Sequence, residues 1–554
     1  MTHSGIRWMN MDEHGNYTKN SQSKEVYTDE QSVHTKILQR NQSHLQQASN
    51  TPFASGKLKK GLKWDGTGKL SDQILNGEIL NDQQFRANMQ LYLECLQTRD
   101  FRKLDVINPT LTLEEYGRFW KKKRETTVTS PFGLHVGHYK AALFNPKILE
   151  VHRVLLLIPF QTGIVPRRWR RTVQSMLQKE PGAPWIHRLR IIELFDAQAN
   201  AGFQIFIGRR MIQHAVHKKL LQKESFGSTP GKMAGSAVIQ KLISIDQLRI
   251  ERKARAIFDC DASGCYDRIL PPLASIHLRS LGLNKSIGTF LARLMYFLRR
   301  HIRTKHGVSK QNIRTTKHEV LHGIGQGNGG GPAIWLAHLT VMFKAISAVC
   351  TGFNTYCIEN KSNISTVGTG YVNDITLGTS VPREQKQTYG TVRNQIKKMG
   401  KTWEQLLYIS GGRLELSKCF WVPIVWKWRK GRPYCAGGKS ERNKELVLKE
   451  SETKEEIIIP RKRSKDAEKR LGVWSNCENT WTKEFLTWTE YSKIFSTKVK
   501  RAGFNRVAGY HAYHAIWLAK FRYSAPMIGL TSSQVKKNLY RSTKRLSISR
   551  WVQQ

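Results

Sequence analysis

GTGYVNDITLGTS, residues 368–380, is the stretch on which the reading of the whole chain turns. Runs rich in Thr, Val, Ile, Tyr and Gly flank a centre of Asn373 and Asp374, so the spacing predicts two short strands joined by a tight turn. Asn and Asp suit the tip because they tolerate φ > 0 and hydrogen-bond their own backbone. Taken locally, this is a hairpin and nothing more. Its chemical meaning depends on what the rest of the chain brings to that tip.

A second acidic segment precedes it. In RAIFDCDASGCYDRI, 255–269, AIFDCD has the character of a buried strand. Asp259 and Asp261 are two apart and so share a strand face. A strand that ends in Asp and turns through Ala-Ser-Gly is a good place to hold a hard cation. Such ions take oxygen from one or two carboxylates and complete their shell with substrate phosphates. A strand end with a solvated Asp and a helix cap explains the same residues. LHGIGQGNGGGPAIWLAHLTVMF, 321–343, sets a glycine-rich loop before Pro332 and a helix. Without Cβ atoms, such a loop lets a backbone, a base or a phosphate come close. It lacks the Lys-Ser/Thr ending of a P-loop. In QKEPGAPWIHRLRIIELF, 178–195, Lys179 precedes a Pro-Gly turn, and Arg188 and Arg190 are expected on one side of the following strand. Together they make a cationic clamp suited to a triphosphate, or a solvated basic hairpin.

Composition narrows the partners. The 554 residues carry 90 Lys and Arg against 42 Asp and Glu, a net charge of +48. An excess of that size opposes compaction unless a polyanion shares the surface, which points to DNA or RNA. No sustained basic amphipathic helix supports a membrane-surface alternative, and VLLLIPF, 154–160, is among the longest apolar runs. The eight cysteines are scattered without CxxC or zinc-ligand spacing, as in an intracellular protein with reduced thiols. PRKRSK, 460–465, has the composition of a nuclear-import signal, so the nucleus is the expected compartment. Aromatic residues alternate with cations in PRRWRR (166–171), VWKWRKGRP (425–433) and AYHAIWLAKFRY (512–523), a pattern suited to base stacking beside phosphate contacts and equally to core aromatics under solvated helix faces.

In this order the segments resemble the motifs of a reverse transcriptase, an RNA-directed DNA polymerase, of the non-LTR type found in eukaryotic retroelements. DASGCYD (261–267) resembles the family's first palm motif, and GQGNGGGPAIW its second, with Gly331 where a Ser is usual. YVND (371–374) sits where the family has an aromatic, a variable residue and two Asp. GGRLELSKCFW (411–421) is similar to the fourth motif, RLGVW (470–474) to the primer-gripping turn, KEPG…RLRII to the fingers motif, and FGSTPGKMAG (226–235) to the lead into the first palm strand. The series spans Lys179 to Trp474, somewhat more than half of the chain.

The resemblance implies an α+β fold, a right-hand polymerase with fingers, palm and helical thumb. The organisation expected is a disordered polar and basic leader over 1–75 and a helical extension over 76–175. Fingers and palm follow over 176–475, and a thumb-like region over 476–554. It implies RNA template, DNA primer and deoxynucleoside triphosphates as partners, and Mg²⁺ or Mn²⁺, two ions in an active enzyme, as cofactor. Asp261 and Asp374 fall on the metal ligands, and Asn373 on a catalytic-turn position. Lys418 falls where a lysine protonates the leaving pyrophosphate. Lys179 and Arg190, with Arg188 as the competing choice, fall on the triphosphate site, Tyr266 on the ribose gate, and Gln326 and Gly327 on the template and nucleotide contacts.

Asn373 is the departure that matters, because the family has its principal ligand there. An amide oxygen coordinates without charge. Losing one charge about 4 Å from a divalent ion forfeits roughly 4 kcal/mol per unit of cation charge at an effective dielectric near 20. That corresponds to about three orders of magnitude in rate. Asp259, about 7 Å along the strand from Asp261, is the candidate replacement. The two function classes that follow are a retroelement polymerase impaired at one ligand and a nucleic-acid-binding protein that keeps the architecture without the chemistry.

Overall fold

One strand, β3 (Arg255–Asp261), has every residue buried, and the molecule is arranged around it. The computed structural model describes residues 6–7, 26–78, 87–97, 106–179, 185–357, 361–435 and 445–543. β3 pairs antiparallel on one side with β6 (Asp374–Ser380) and on the other with β7 (Phe420–Ile424). β5 (Gly368–Tyr371) closes the hairpin with β6, which gives a four-stranded sheet in the order β5-β6-β3-β7. Both faces of β3 are covered, so its sequence lacks the alternation of a half-exposed strand. Ile257 packs in one cluster with Ile245 of helix α2 (Ala234–Ile250). Phe258 packs on the opposite side with Ile396 and Met399 of helix α4 (Tyr389–Ile409). Between these in sequence, helix α3 (Gly331–Val349) begins at Pro332 behind the glycine loop and is buried along most of its length. It is long and apolar enough to cross a membrane, yet its apolar side chains are spent inside the protein.

A second sheet is built from β2 (Leu189–Leu194), β1 (Arg171–Gln178) and β4 (Arg299–Thr304), extended by short strands at 307–308 and 313–314. β1 runs antiparallel to β2 and parallel to β4. The fold is therefore α+β, as expected. The expected helical extension contains helices Ala87–Leu96, Leu113–Lys122, Val136–Ala141 and Pro146–Thr162.

The expectation of a disordered leader is corrected over 26–75; residues 1–5 and 8–25 of that leader lie outside the described residues. Residues 30–46 form helix α1, with Asp29 as N-cap accepting from the Ser32 amide at 2.8 Å. Val33, Ile37, Leu38 and Leu45 fall on one face and join Met176, Ile186, Leu189, Ile191 and Ile302 of the second sheet in one apolar cluster. The polar residues that made the segment look disordered are consumed there too. Asn41, fully buried, donates to the Gln174 side-chain oxygen at 2.8 Å, and Arg40 donates to the Leu189 carbonyl at 3.0 Å. Residues 56–62 and 69–76 are helical as well. Mean polarity predicted disorder; the helical spacing of a few apolar residues decided otherwise.

The described part of the C-terminal region is mostly helical, as expected, from α5 (Thr482–Arg501) to Thr543; residues 544–554 lie outside the described residues. Its aromatic–basic pattern has a structural explanation. Tyr513, Trp517 and Phe521 stack on one another at centroid distances of 5.3 and 5.1 Å, and Trp517 is fully buried. Trp169 of PRRWRR is buried as well. Trp169, Tyr513 and Trp517 thus serve the core, whereas Tyr523 is exposed.

Two outcomes follow for stability. Ile37→Ala is expected to cost about 2–5 kcal/mol in urea unfolding, since the side chain is fully buried; a cost near zero would show that α1 is not packed. Burial also holds His338 down to about 3 and His322 to about 4, against an ordinary histidine value of 6.5. Below pH 6.5 the unfolded chain takes up protons that the folded chain refuses, so stability is full above 6.5 and declines from there toward pH 3–4. Urea midpoints across that range, flatter in a His338→Gln variant, check the sign.

Candidate functional site

The register of β3 against β6 places Asp374 directly across from Asp261 and Thr376 across from Asp259. Within the β5–β6 hairpin Tyr371 pairs with Asp374, so Val372 and Asn373 make the turn. The left-handed residue there is Val372, at φ +57°, and not Asn373 or Asp374 as the composition of the tip suggests. A two-residue turn with positive φ at its first position alone is a place for glycine. A β-branched residue there is strained and persists because neighbours hold it. Trp335 Nε1 of α3 donates to the Val372 carbonyl at 2.6 Å, and the Phe226 amide donates to the Gly370 carbonyl at 2.8 Å. Both segments were singled out in the sequence, and here they brace the same turn.

So held, Asn373 faces β3. Its Nδ2 donates to Asp261 Oδ1 at 2.7 Å, and Lys418 Nζ donates to Asp261 Oδ2 at 2.8 Å. Arg470 Nη1 donates to Asp374 Oδ1 at 3.3 Å. Lys241 Nζ of α2 donates to Asp259 Oδ2 at 2.9 Å, and the Thr376 hydroxyl donates to the other oxygen. Each carboxylate thus has its own cation. Burial opposes the charge on Asp259, yet Lys241, Arg470 and Thr376 together hold its carboxyl below the usual range. Burial raises the Asp374 carboxyl, and the charges of Asp261 and Asp259 add to the rise against the pull of Arg470. Burial works against the Lys418 ammonium, but the contact with Asp261 lifts it above its ordinary value. The idea that Asp259 supplies the missing charge is corrected: it shares the strand face with Asp261, but it is buried and spent on Lys241.

Around Asp261 opens a cleft of about 1440 Å³. Of the expected residues, Lys179, Arg190, Tyr266, Gln326, Asn373 and Lys418 line it together with Asp261. These come from the position just after β1, from β2, the turn after β3, the glycine loop, the hairpin and the segment before β7. Burial, with the nearby charges of Lys418, Arg40 and Arg190, pulls the Lys179 ammonium below its ordinary value, which marks a crowded cationic wall. Tyr266 lies against the glycine loop, its ring within reach of a Cβ at Gly331.

Three expected residues stand elsewhere. Asp374 lines a small separate crevice of about 20 Å³ with Lys241, Tyr371 and Arg470. Arg188 lies in the turn Ile186–Arg188, ahead of β2 rather than beside Arg190 on it, and its carbonyl accepts from the Lys179 amide at 3.3 Å. The Pro-Gly turn after Lys179 falls in 180–184, outside the described residues. Gly327 is used by the protein itself: at φ +131°, a Cβ there would sit 2.2 Å from the Glu193 carbonyl oxygen. The close approach that the glycine loop allows is that of β2, and the Glu193 amide donates to the Gln326 carbonyl at 2.7 Å.

The expected pair of Mg²⁺ or Mn²⁺ ions is not matched by this donor set. Both oxygens of Asp261 are engaged, the third position is an amide presenting its NH₂, and Asp374 opens on another crevice beside an arginine. Among the described residues no group of three or more His, Cys, Asp or Glu side chains is assembled for a metal. Sequence reasoning missed Lys241 and, although it singled out RLGVW, the pairing of Arg470 with Asp374, which only the fold creates. It also missed Arg40 and His44, which α1 brings to the cleft; His44 Nε2 lies 3.0 Å from Asp267 Oδ2.

Lys241→Met strands a buried carboxylate and is expected to cost about 3–5 kcal/mol, most of it recovered when Asp259→Asn is added. Equal losses in the single and double variants, measured by urea unfolding, would show that the pair is not coupled. No protein-family model matches the chain, and no curated protein matches it in sequence.

Proposed function

We propose that this chain is a reverse-transcriptase-like protein that binds nucleic acid in the Asp261 cleft, with nucleotidyl transfer suppressed by Asn373. One observation carries the reading. Residues singled out from separate motifs between positions 179 and 418 line a single cleft. Chance motif matches scattered over that length have no reason to converge. The convergence supports a common origin for the motifs, and the net charge of +48 supports a polyanionic ligand. In this reading Lys179, Arg190 and Lys418 contact phosphate groups, and Tyr266 and Gln326 stand where sugar and base would lie.

The structure favours binding over catalysis at one point. A polymerase turn needs charge facing Asp261, and Asn373 offers the donor end of an amide instead. A primed RNA template, assayed with Mg²⁺ and with Mn²⁺, tests this. Native protein and Asn373→Asp are expected to bind it alike, with log affinity falling linearly as log salt rises. Extension is expected from Asn373→Asp at a rate about three orders of magnitude above native, and none from Asp261→Ala. Native extension at the rate of the variant would overturn the suppression, and weak binding indifferent to salt would overturn the nucleic-acid reading.

A further inference from the structure

The three carboxylates at the end of the central sheet meet three protein cations one to one: Asp259 with Lys241, Asp261 with Lys418, Asp374 with Arg470. Asp261 is the member that lines the cleft. Its side chain is about nine-tenths buried, and its two oxygens are divided between Lys418 and Asn373. The Lys418 side chain is 61 % exposed, so its ammonium reaches Asp261 with one N–H and turns the remainder toward the cleft. Lys179 and Arg190 line the same space.

We infer that Lys418, as a built-in counter-charge, and the amide of Asn373, as a neutral donor, serve Asp261 in place of a divalent ion, so that this cleft accepts phosphate groups without one. The two groups divide the task. Lys418 neutralises Asp261 and keeps N–H donors for a phosphate oxygen. The Asn373 amide fills the second carboxylate oxygen with a donor that carries no charge and needs no third partner. A carboxylate at 373 would place two anionic oxygens at the present 2.7 Å contact, an arrangement stable only with a cation between them. Removing the ammonium at 418 would leave Asp261 short of positive charge by another route. Either change therefore creates an appetite for a divalent ion that the native cleft lacks.

The test uses the full-length chain and Mn²⁺, followed by electron paramagnetic resonance. Asn373→Asp and Lys418→Met are each expected to bind Mn²⁺ at least about tenfold more tightly than native, and Asp261→Asn to remove the gain in both. Lys418→Met keeps the question open to measurement if the crowded carboxylates of Asn373→Asp impair folding. Tripolyphosphate binding in the presence of a chelator is expected to persist in the native chain and to weaken about tenfold in Lys418→Met. The lysine variant thus moves the two affinities in opposite directions, which a loss of structure would not do. Native Mn²⁺ binding as tight as that of the variants, no gain in either variant, or native polyphosphate binding that needs a divalent ion would each overturn the inference. It rests on the proposed function only for the source of the phosphate. RNA binding measured alongside separates the two: its absence overturns the nucleic-acid reading and leaves the Mn²⁺ comparison standing.

Discussion

The pairing of β3 with β6 is the constraint on which the site depends. It sets Asp374 opposite Asp261 and Thr376 opposite Asp259 in one register, and a slip of one residue would turn every one of these side chains to the other face. The register is secured by burial on both sides, with Ile257 against α2 and Phe258 against α4. Burial also makes the acidic residues expensive, since an unpaired carboxylate at such depth would not remain charged. The cations Lys241, Lys418 and Arg470 answer that cost, and each arrives from a different part of the chain. Packing of the sheet and charge balance of the site are therefore one problem with one solution.

The strained hairpin tip belongs to the same solution. Val372 takes a backbone conformation that suits glycine, held by Trp335 on one side and by the approach of Phe226 and Gly227 on the other. A Cβ at Gly227 would meet the Val372 amide at 2.6 Å, so that glycine exists for the close approach. The strain positions Asn373 over Asp261. The same tip in a carboxylate version would repel, and the amide converts repulsion into a hydrogen bond.

Helix α1 shows a second kind of dependence. It reaches back from the N-terminal region to cover the β2-β1-β4 sheet and adds Arg40 and His44 to the cleft wall. A site whose motifs are spread over the middle of the chain thus gains a wall from a segment that carries no motif.

The sequence by itself determined the α+β class, the strand at 255–261, the hairpin at 368–380, the helix behind the glycine loop, and seven of the residues that line the cleft. These were legible because each rests on local physics: buried apolar runs, turn-forming residues, proline at a helix start, and the spacing of two Asp along a strand. Tertiary structure alone decided the order of helix α1, hidden within a Gln- and Asn-rich segment whose apolar face exists only against the sheet it covers. It alone decided that Gly327 yields to β2, that Arg188 stays in a turn, and that Asp374 opens on a crevice of its own. It decided, too, which cation each carboxylate meets. Partners far apart in sequence leave no periodic trace, because charge pairing across a fold depends on where elements dock and not on how residues are spaced within them.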